Sequence, residues 1–231
     1  MNAWQLFYRQ FFELEGYRNV LIGLKNTAVI AVIGLMIGMV IGCLLATTKI
    51  VPKKNKLIGF LSGATSVYVS IFRGTPMVVQ LLLIHFVLLP ALGIHIPLLM
   101  EAVLAFGLNS GAYVSEIMRG GILSVDGGQT EAGRALGLTY GKTMIKVVLP
   151  QAIKNVVPTL GNEFIALLKE TSVVSFITIV DLTKSFQNIA NSTYEYIVPY
   201  VVLALIYLVL VLIVTSIIKL IERRLRASDK R

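Results

Sequence analysis

Charged residues are scarce in this sequence. They make up 14% of its 231 residues, whereas soluble globular domains average about 25%. With 56% of the chain hydrophobic, this composition excludes a soluble globular domain. The few charges are unbalanced, and the formal net charge is +9. The basic residues do not interleave with aromatics on a polar surface, so they do not indicate nucleic-acid binding. In an apolar chain they indicate basic loops beside membrane spans.

Cysteine and histidine are also rare. Cys43 is the single cysteine and lies in an apolar run, so no disulfide can form within this sequence. Neither His85 nor His95 belongs to a metal-binding motif. The sequence therefore predicts no metal site and no bound cofactor, and no catalytic dyad is evident within the apolar runs.

Long apolar runs are what the chain has in abundance. A transmembrane helix needs about 20 mainly apolar residues, and five runs qualify: 20–48, 57–89, 98–118, 157–180 and 197–221. They predict an all-α membrane protein with five transmembrane helices, in a transmembrane domain that covers residues 20–222. A basic tail over residues 223–231 follows it.

The first 19 residues do not resemble a secretory signal peptide, because they lack a basic start, an apolar run and a small-residue cleavage site. Aromatic and polar side chains are mixed there instead: Trp4, Phe7, Phe11 and Phe12 with Arg9, Gln10, Glu13 and Glu15. We therefore expect an amphipathic helix over residues 1–19 that lies at the membrane interface.

The first run carries a stripe of small residues. Gly34, Gly38 and Gly42 recur at every fourth position, which places them on one helix face where a second helix can approach closely. Packing accounts for this stripe, and no chemistry is needed to explain it.

The second run is too long for one straight span. At 1.5 Å per residue it would measure roughly 50 Å, whereas the hydrocarbon core is about 30 Å thick. Arg73, Gly74, Thr75 and Pro76 supply a break, because proline donates no backbone hydrogen bond and disfavours helix at the preceding residue. We expect Thr75 to cap the following half-helix, with Pro76 as its first residue.

Basic residues are distributed unevenly between the loops. If the loop after the first run is cytoplasmic, the opposite side retains only Arg9, Arg18, Lys25 and Lys184. Cytoplasmic loops carry the excess of Lys and Arg. The distribution predicts a multi-pass protein of the cell membrane with its N-terminus outside and its C-terminus in the cytoplasm.

A polar loop over residues 119–154 separates the third and fourth runs. Gly120, Gly121, Gly127 and Gly128 would allow sharp turns. A short helix over 130–136 is predicted after them, capped by Thr130 and ended by Gly137. A loop of this length with internal structure is usually functional. Its helix would form a compact protrusion that a soluble partner protein could bind.

This loop resembles the EAA motif of ABC-importer permeases. That motif is Glu-Ala-Ala, three residues, Gly, nine residues, Ile, one residue and Leu-Pro; the positions here are Glu131, Ala132, Gly133, Gly137, Val147, Leu149 and Pro150. Gly133 replaces the second Ala and Val147 replaces Ile, and the spacing is intact. The segments SIFRGTPMVVQLLL, NSGAYVSEIMRGGI and NEFIALLKETSVVSFI are similar to the polar-amino-acid branch of that family, from about Gly16 onward.

The resemblance implies a type I ABC-importer permease bundle that works as a homo- or heterodimer. It implies cytoplasmic ATPase subunits and an extracytoplasmic solute-binding protein as partners. In the family, the short helix docks in a cleft of the ATPase. The residues that would do so here are Glu131, Ala132, Gly133, Arg134, Ala135, Leu136 and Gly137.

The segment GLTYGKT at residues 137–143 superficially resembles a phosphate-binding loop. That motif requires four residues between its glycines, and Gly137 and Gly141 are separated by three. We therefore expect no ATPase site in this chain, so that ATP and Mg²⁺ would be bound by the partner ATPase.

Ionisable residues inside spans are costly and are candidates for function. Glu163 lies in the fourth run, beside Asn162. A buried carboxylate needs a cation or a proton, so Glu163 is predicted to be the counter-ion of an arginine, lysine or histidine substrate. The alternative is a structural ion pair with Arg73 or Lys169.

The break in the second run is suited to bind the carboxylate end of an amino-acid substrate. Exposed amides after Arg73, Gly74 and Thr75 would attract a carboxylate, and Arg73 would add a charge-assisted bond. The alternative is a structural kink in which Arg73 pairs with Glu116. We expect Tyr68 and Ser70 to line the same cavity. We expect the polar stripe of the third run to hold helices together: Asn109, Tyr113 and Glu116.

The sequence thus predicts a permease subunit of an importer for basic amino acids. An importer of glutamine or another polar amino acid is the alternative of the same class. An ion-coupled secondary transporter, which needs no ATPase, is the alternative of another class; such folds often contain internal repeats, and none is found here.

Overall fold

The computed structural model describes residues 2–51 and 55–227, and these are almost entirely helical with no strand among them. The predicted all-α class is confirmed. The α-helices are α1 Ala3–Tyr8, α2 Gly16–Ile50, α3 Lys56–Gly74, α4 Met77–Leu83, α5 Leu89–Ala91, α6 Leu98–Leu123, α7 Gly127–Ala135, α8 Tyr140–Thr143, α9 Leu149–Glu170, α10 Leu182–Thr193 and α11 Ile197–Ala227. Three π-helical turns, Arg9–Glu13, Ile84–Leu88 and Met144–Val148, continue the helices that precede them.

Four helices among the described residues are long and apolar enough to cross a membrane: α2, α3, α6 and the part of α11 from Ile197 to Leu225. The fourth predicted span corresponds to α9, which is more polar and packs against α2, α6 and α11. Its predicted end at residue 180 is wrong. The helix ends at Glu170, tightens into a 3₁₀ segment Thr171–Ile177, and turns at Thr178, whose φ is 65°.

The N-terminal helix is present but shorter than predicted. Asn2 caps α1 by accepting a hydrogen bond from the Gln5 amide at 2.9 Å, and the Gln5 side chain accepts one from the Asn2 amide. Glu15 has a φ of 56° and separates this helix from α2, which begins at Gly16 rather than at residue 20. Phe7 is buried on α1. That this helix lies at the membrane interface stays a prediction.

Helices α2 and α6 form the tightest seam in the molecule. A Cβ built on Gly38 would lie 2.5 Å from Ser110 Oγ, and one on Gly42 would lie 2.6 Å from Val114 Cβ. The relation is reciprocal, because a Cβ on Gly107 of α6 would lie 2.6 Å from Ile37 Cγ2. The predicted packing role of the α2 glycine stripe is confirmed, and α6 supplies a matching stripe.

The second apolar run breaks where it was predicted to break, but its cap is different. Thr75 ends α3 in an extended conformation, and Pro76, also extended, is the N-cap of α4, which begins at Met77. Thr75 therefore does not cap the half-helix: its hydroxyl donates back to the Ile71 carbonyl at 2.8 Å, inside α3.

The polar stretch after Val180 forms an amphipathic helix, α10. The carboxylate of Asp181 caps it, accepting from the amides of Thr183 and Lys184 at 3.0 and 2.8 Å. Leu182 and Phe186 are fully buried on its inner face. They join Phe7 and Val20 in a second hydrophobic cluster, so α10 anchors the N-terminal segment.

Two parts of the predicted topology lie partly outside the described residues. The loop after α2 includes Lys53 and Lys54, which are not described, and the last four residues of the basic tail are not described either. The tail is helical as far as it is described, because α11 continues to Ala227.

Candidate functional site

The short helix predicted over residues 130–136 is present as α7, Gly127–Ala135. Asp126, rather than Thr130, caps it by accepting a hydrogen bond from the Gly128 amide at 2.8 Å. The helix therefore begins three residues earlier than predicted. Gly137 ends it as predicted, with a φ of 80°. The amides of Gly137 and Leu138 close the end by donating to Arg134 and Gly133 carbonyls at 2.9 and 3.2 Å, the pairing of a Schellman motif.

One face of α7 is free within this chain. The side chains of Glu131, Ala132, Arg134 and Ala135 are exposed, and Leu136 is 82% exposed just beyond the helix. Gly133 faces inward, where a Cβ would lie 2.6 Å from Cγ2 of the fully buried Thr143.

The segment around α7 is more helical than predicted. Helix α6 continues to Leu123, so Gly120 and Gly121 are helical rather than turn residues. A Cβ on Gly121 would collide with Val156 of α9, which explains the small residue there. Between α7 and α9, α8 and a π-helical turn extend from Tyr140 to Val148. The short helix α7 is therefore held between the ends of two bundle helices.

A cavity of about 950 Å³ lies between α3, α6 and α9. Arg73 of α3 reaches into it, and its guanidinium carbon lies 5.2 Å from the centre of the Tyr113 ring, a cation–π contact. The remaining lining comes from the end of α6 and the start of α9: Glu116, Ile117, Gly120, Gly121, Ser124, Lys154, Asn155, Pro158 and Thr159.

Glu116 is fully engaged by two cations of its own. Lys49 Nζ donates to Oε1 at 2.7 Å, and Arg119 donates to Oε2 through Nε at 3.1 Å and Nη2 at 2.8 Å. The alternative in which Arg73 pairs with Glu116 is therefore wrong. Glu116 does hold helices together, as expected for its stripe, but it does so through Lys49 of α2.

Glu163 is half-buried on α9, one turn beyond the cavity-lining Thr159. Ser110, Glu170 and Arg73 are close enough to act on its carboxylate. No ion pair within 4.0 Å forms to it in the described part of the chain, so neither predicted pairing, with Arg73 or with Lys169, is made. The hydroxyl of Ser110 beside it is buried without a hydrogen-bond partner.

Among the described residues that line this cavity, Arg73 is the one member of the predicted substrate-binding set. Tyr68 donates its hydroxyl hydrogen to the Leu108 carbonyl at 2.6 Å and so links α3 to α6. Ser70, Gly74 and Thr75 are exposed on α3 and at the break, and Asn162 is exposed on α9. Arg73 and Glu163 are the two members of the set that the fold brings near each other.

Sequence reasoning missed Gln80, a buried amide behind the break, although it expected its partner Asn109 to hold helices together. Gln80 donates through Nε2 to the carbonyls of Phe72 and Thr75 at 2.8 and 2.9 Å, and accepts from Asn109 Nδ2 at 2.8 Å. A glutamine within an apolar run was the available signal.

Across the described ranges, no group of three or more His, Cys, Asp or Glu side chains could hold a metal ion.

Comparisons with known proteins agree with this architecture. The chain is 42% identical to the arginine transport system permease protein ArtQ of Bacillus subtilis, over 91% of this chain and 94% of that protein. It is also 42% identical to a putative glutamine transport system permease protein, GlnP, of Rickettsia bellii, over 86% and 88% of the two chains. A chain from a crystal structure of an amino acid ABC transporter with histidines superposes with a TM-score of 0.83 at 40% identity, covering 92% of this chain and 96% of that one.

The family model for the inner-membrane component of binding-protein-dependent transport systems matches residues 34–227. That range contains α3 to α11 and the C-terminal half of α2, and with them both the cavity and α7. The chain belongs to this family of membrane permeases.

Proposed function

We propose that this chain is the permease subunit of an ABC importer that carries basic amino acids, with arginine, lysine and histidine as its substrates. It forms the translocation pathway and is driven by ATPase subunits in the cytoplasm. Family membership and the amino-acid relatives support the transport of amino acids. The choice of a cationic substrate rests on Glu163.

Glu163 is the observation that carries the substrate proposal. Its carboxylate is half-buried and forms no ion pair within 4.0 Å in the described ranges. A buried carboxylate without a cation carries a desolvation cost that a charged ligand offsets. A guanidinium or ammonium beside it would supply that charge, and Asn162, its chain neighbour, would add an amide.

Arg73 supports recognition of the other end of the substrate. Its guanidinium stands over Tyr113 at the cavity wall rather than in an ion pair, so it is available to bind a carboxylate. Gly74, the last residue of α3, and Thr75, which follows it in an extended conformation, are both exposed. Tyr68 and Ser70 on α3 lie one to two turns before Arg73 and are proposed to shape the same path.

The exposed face of α7 supports coupling to a cytoplasmic ATPase. Residues 131–137 would enter a cleft of that subunit, with Leu136 as the apolar anchor and Glu131 beside it. ATP and Mg²⁺ would be bound by the ATPase. The segment GLTYGKT supports this division of work, because it contains the left-handed Gly137 and the short helix α8 and follows no strand.

The assembly we propose has two permease subunits, identical or different, two ATPases and an extracytoplasmic solute-binding protein. Lys49 and Arg119 line one groove with residues of α7, and Lys142 and Lys146 lie in the segment between α7 and α9. Their position supports a cytoplasmic α7 and C-terminus and an external N-terminus in the cell membrane.

Glutamine or another polar amino acid is the second candidate substrate, and the GlnP relative favours it. An ion-coupled secondary transporter is disfavoured, because the family is that of binding-protein-dependent systems.

Uptake by the complex reconstituted with its ATPase and binding protein, measured for arginine, lysine, histidine and glutamine, tests the proposal. We expect ATP-dependent uptake of the three basic amino acids, and preferential uptake of glutamine would overturn the assignment. Uptake that continues without any ATPase subunit would contradict the importer mechanism itself.

A further inference from the structure

The carboxylate of Glu116 joins two helix ends directly beside α7. Each of its oxygens has a separate cationic partner: Oε1 accepts from Lys49 at 2.7 Å, and Oε2 accepts from Arg119 at 2.8 and 3.1 Å. The side chains of Lys49 and Glu116 are 14% and 18% exposed. This is a sheltered cluster with a fixed geometry, unlike a mobile surface pair.

The place of the cluster in the fold is informative. Lys49 is the last residue but one of α2, which ends at Ile50, and Glu116 and Arg119 are in the last two turns of α6, which ends at Leu123. Helix α7 begins at Gly127, four residues later. Along the α2–α6 seam the interlocking glycines stop at Gly42. The ion pair therefore fastens the two helices where glycine packing no longer does.

The cluster also separates two concave surfaces. Lys49 and Arg119 line a groove of about 420 Å³ whose other wall includes Gly127 and Thr130 of α7 and Tyr140 of α8. Glu116 lines the larger cavity on its other side, with Arg73 and Tyr113. Helix α7 and the two cations thus face the same groove, and the carboxylate that the cations hold forms part of the wall of the larger cavity.

Net stability does not explain such a cluster well, because the cost of desolvating the charges offsets much of their attraction. Geometric specificity is the better-attested use of sheltered ion pairs. We propose that Glu116 is a positioning residue for energy coupling: it locks the ends of α2 and α6 into one body, so that displacement of α7 by the ATPase moves the cavity wall. This inference rests on the proposed importer function.

The test uses the complete complex in proteoliposomes and measures uptake and ATP hydrolysis together. For Glu116→Gln, which keeps the shape and removes the charge, we expect the ratio of substrate imported to ATP hydrolysed to fall about fivefold, while binding-protein-stimulated hydrolysis persists. Lys49→Gln should do the same. The double variant should be no worse than either single variant, because both changes break the same link.

A matched control is the exposed pair Glu15–Arg18, which has the same 2.8 Å contact between an oxygen and a guanidinium nitrogen. Glu15→Gln should leave the ratio unchanged. If Glu116→Gln fails to assemble, Lys49→Gln decides the matter, because it leaves the carboxylate paired with Arg119. An unchanged ratio in Lys49→Gln, or additive losses in the double variant, would overturn the inference. Absence of ATP-driven uptake by the unmodified complex would instead refute the proposed function.

Discussion

Asn109 donates a hydrogen bond from its side-chain amide to Oε1 of Gln80 at 2.8 Å, with both side chains buried between α4 and α6. Gln80 in turn donates to the carbonyls of Phe72 and Thr75. These carbonyls belong to the last turn and the cap of α3, where the break removes their helical partners. One glutamine thus satisfies the backbone that Pro76 leaves open and ties it to α6.

Replacing Gln80 by leucine should destabilise the protein. The part-buried carbonyl of Thr75 would lose its side-chain donor, and that of Phe72 would retain only the 3.4 Å contact with Asn109; a group left unsatisfied in a buried site costs about 1–3 kcal/mol. Thermal unfolding of the purified protein in detergent measures the loss. The exposed Gln129 offers a matched control, and Gln129→Leu should unfold at the unmodified temperature. A Gln80→Leu variant as stable as the starting protein would show that water hydrogen-bonds the open carbonyls at the break.

Replacing Glu163 by glutamine should abolish transport of basic amino acids without preventing assembly. Removing one partner of a sheltered charge pair costs 2 kcal/mol or more, so arginine uptake should fall by about 30-fold or more. Uptake of arginine and lysine by the reconstituted complex is the measurement. Glu13→Gln, an exposed carboxylate near the N-terminus, is the control. Arginine uptake that survives in Glu163→Gln would remove the counter-ion role.

Replacing Leu136 by serine should weaken binding of the ATPase subunit. The side chain is 82% exposed and makes little contact within the chain, so folding should be unaffected, whereas loss of an interface anchor costs about 30-fold in affinity. Titration of the purified ATPase against the permease measures this. Tyr194, 85% exposed at the end of α10, provides the comparison: Tyr194→Ser should bind the ATPase normally. Equal affinity for both variants would contradict docking through α7.

Restoring the alanine of the EAA pattern at position 133 should loosen α7 rather than improve it. The added Cβ would lie 2.6 Å from Thr143 Cγ2, and overpacking of this kind costs about 1–3 kcal/mol. Hydrogen exchange of the α7 amides should therefore be faster in Gly133→Ala. Combining it with Thr143→Ser, which removes the colliding methyl group, should restore slow exchange.

The control for that experiment is on the same helix. A Cβ at Gly127 meets nothing within 4 Å, so Gly127→Ala should exchange no faster than the unmodified protein. Slow exchange in Gly133→Ala alone would show that α8 moves aside at little cost.

The sequence predicted the elements that depend on composition and spacing. Apolar runs located the spans, the small-residue period of α2 located its seam with α6, and the motif around Glu131 located α7. The errors were of two kinds. Cap identities at Thr75 and Thr130 were wrong because several residues near each helix start can accept a hydrogen bond, and tertiary packing selects among them. Helix α10 was overlooked because its apolar face is short and interrupted by polar residues.

The site was less accessible to prediction than the fold. Arg73 and Glu163 are ninety residues apart in sequence, and both attracted attention because charges in spans are rare. Which charged residues pair with one another could not be assigned from sequence. Lys49 and Glu116, for example, meet only because α2 and α6 cross. The fold shows that Glu116 is already paired and that Glu163 is not, and this difference separates a structural carboxylate from a candidate binding carboxylate.

The modest apolarity of α9 has a consequence for how the protein is made. Its 22 residues are long enough to span, but unlike α2, α3, α6 and α11 it is not apolar enough for a self-sufficient span, although it packs against three of them. A ribosome-bound chain that has just released α9 would therefore offer the insertion machinery a segment with little affinity for lipid. We expect α9 to insert into the bilayer only by packing against helices that are already inserted. Its insertion should be completed when α11 emerges from the ribosome.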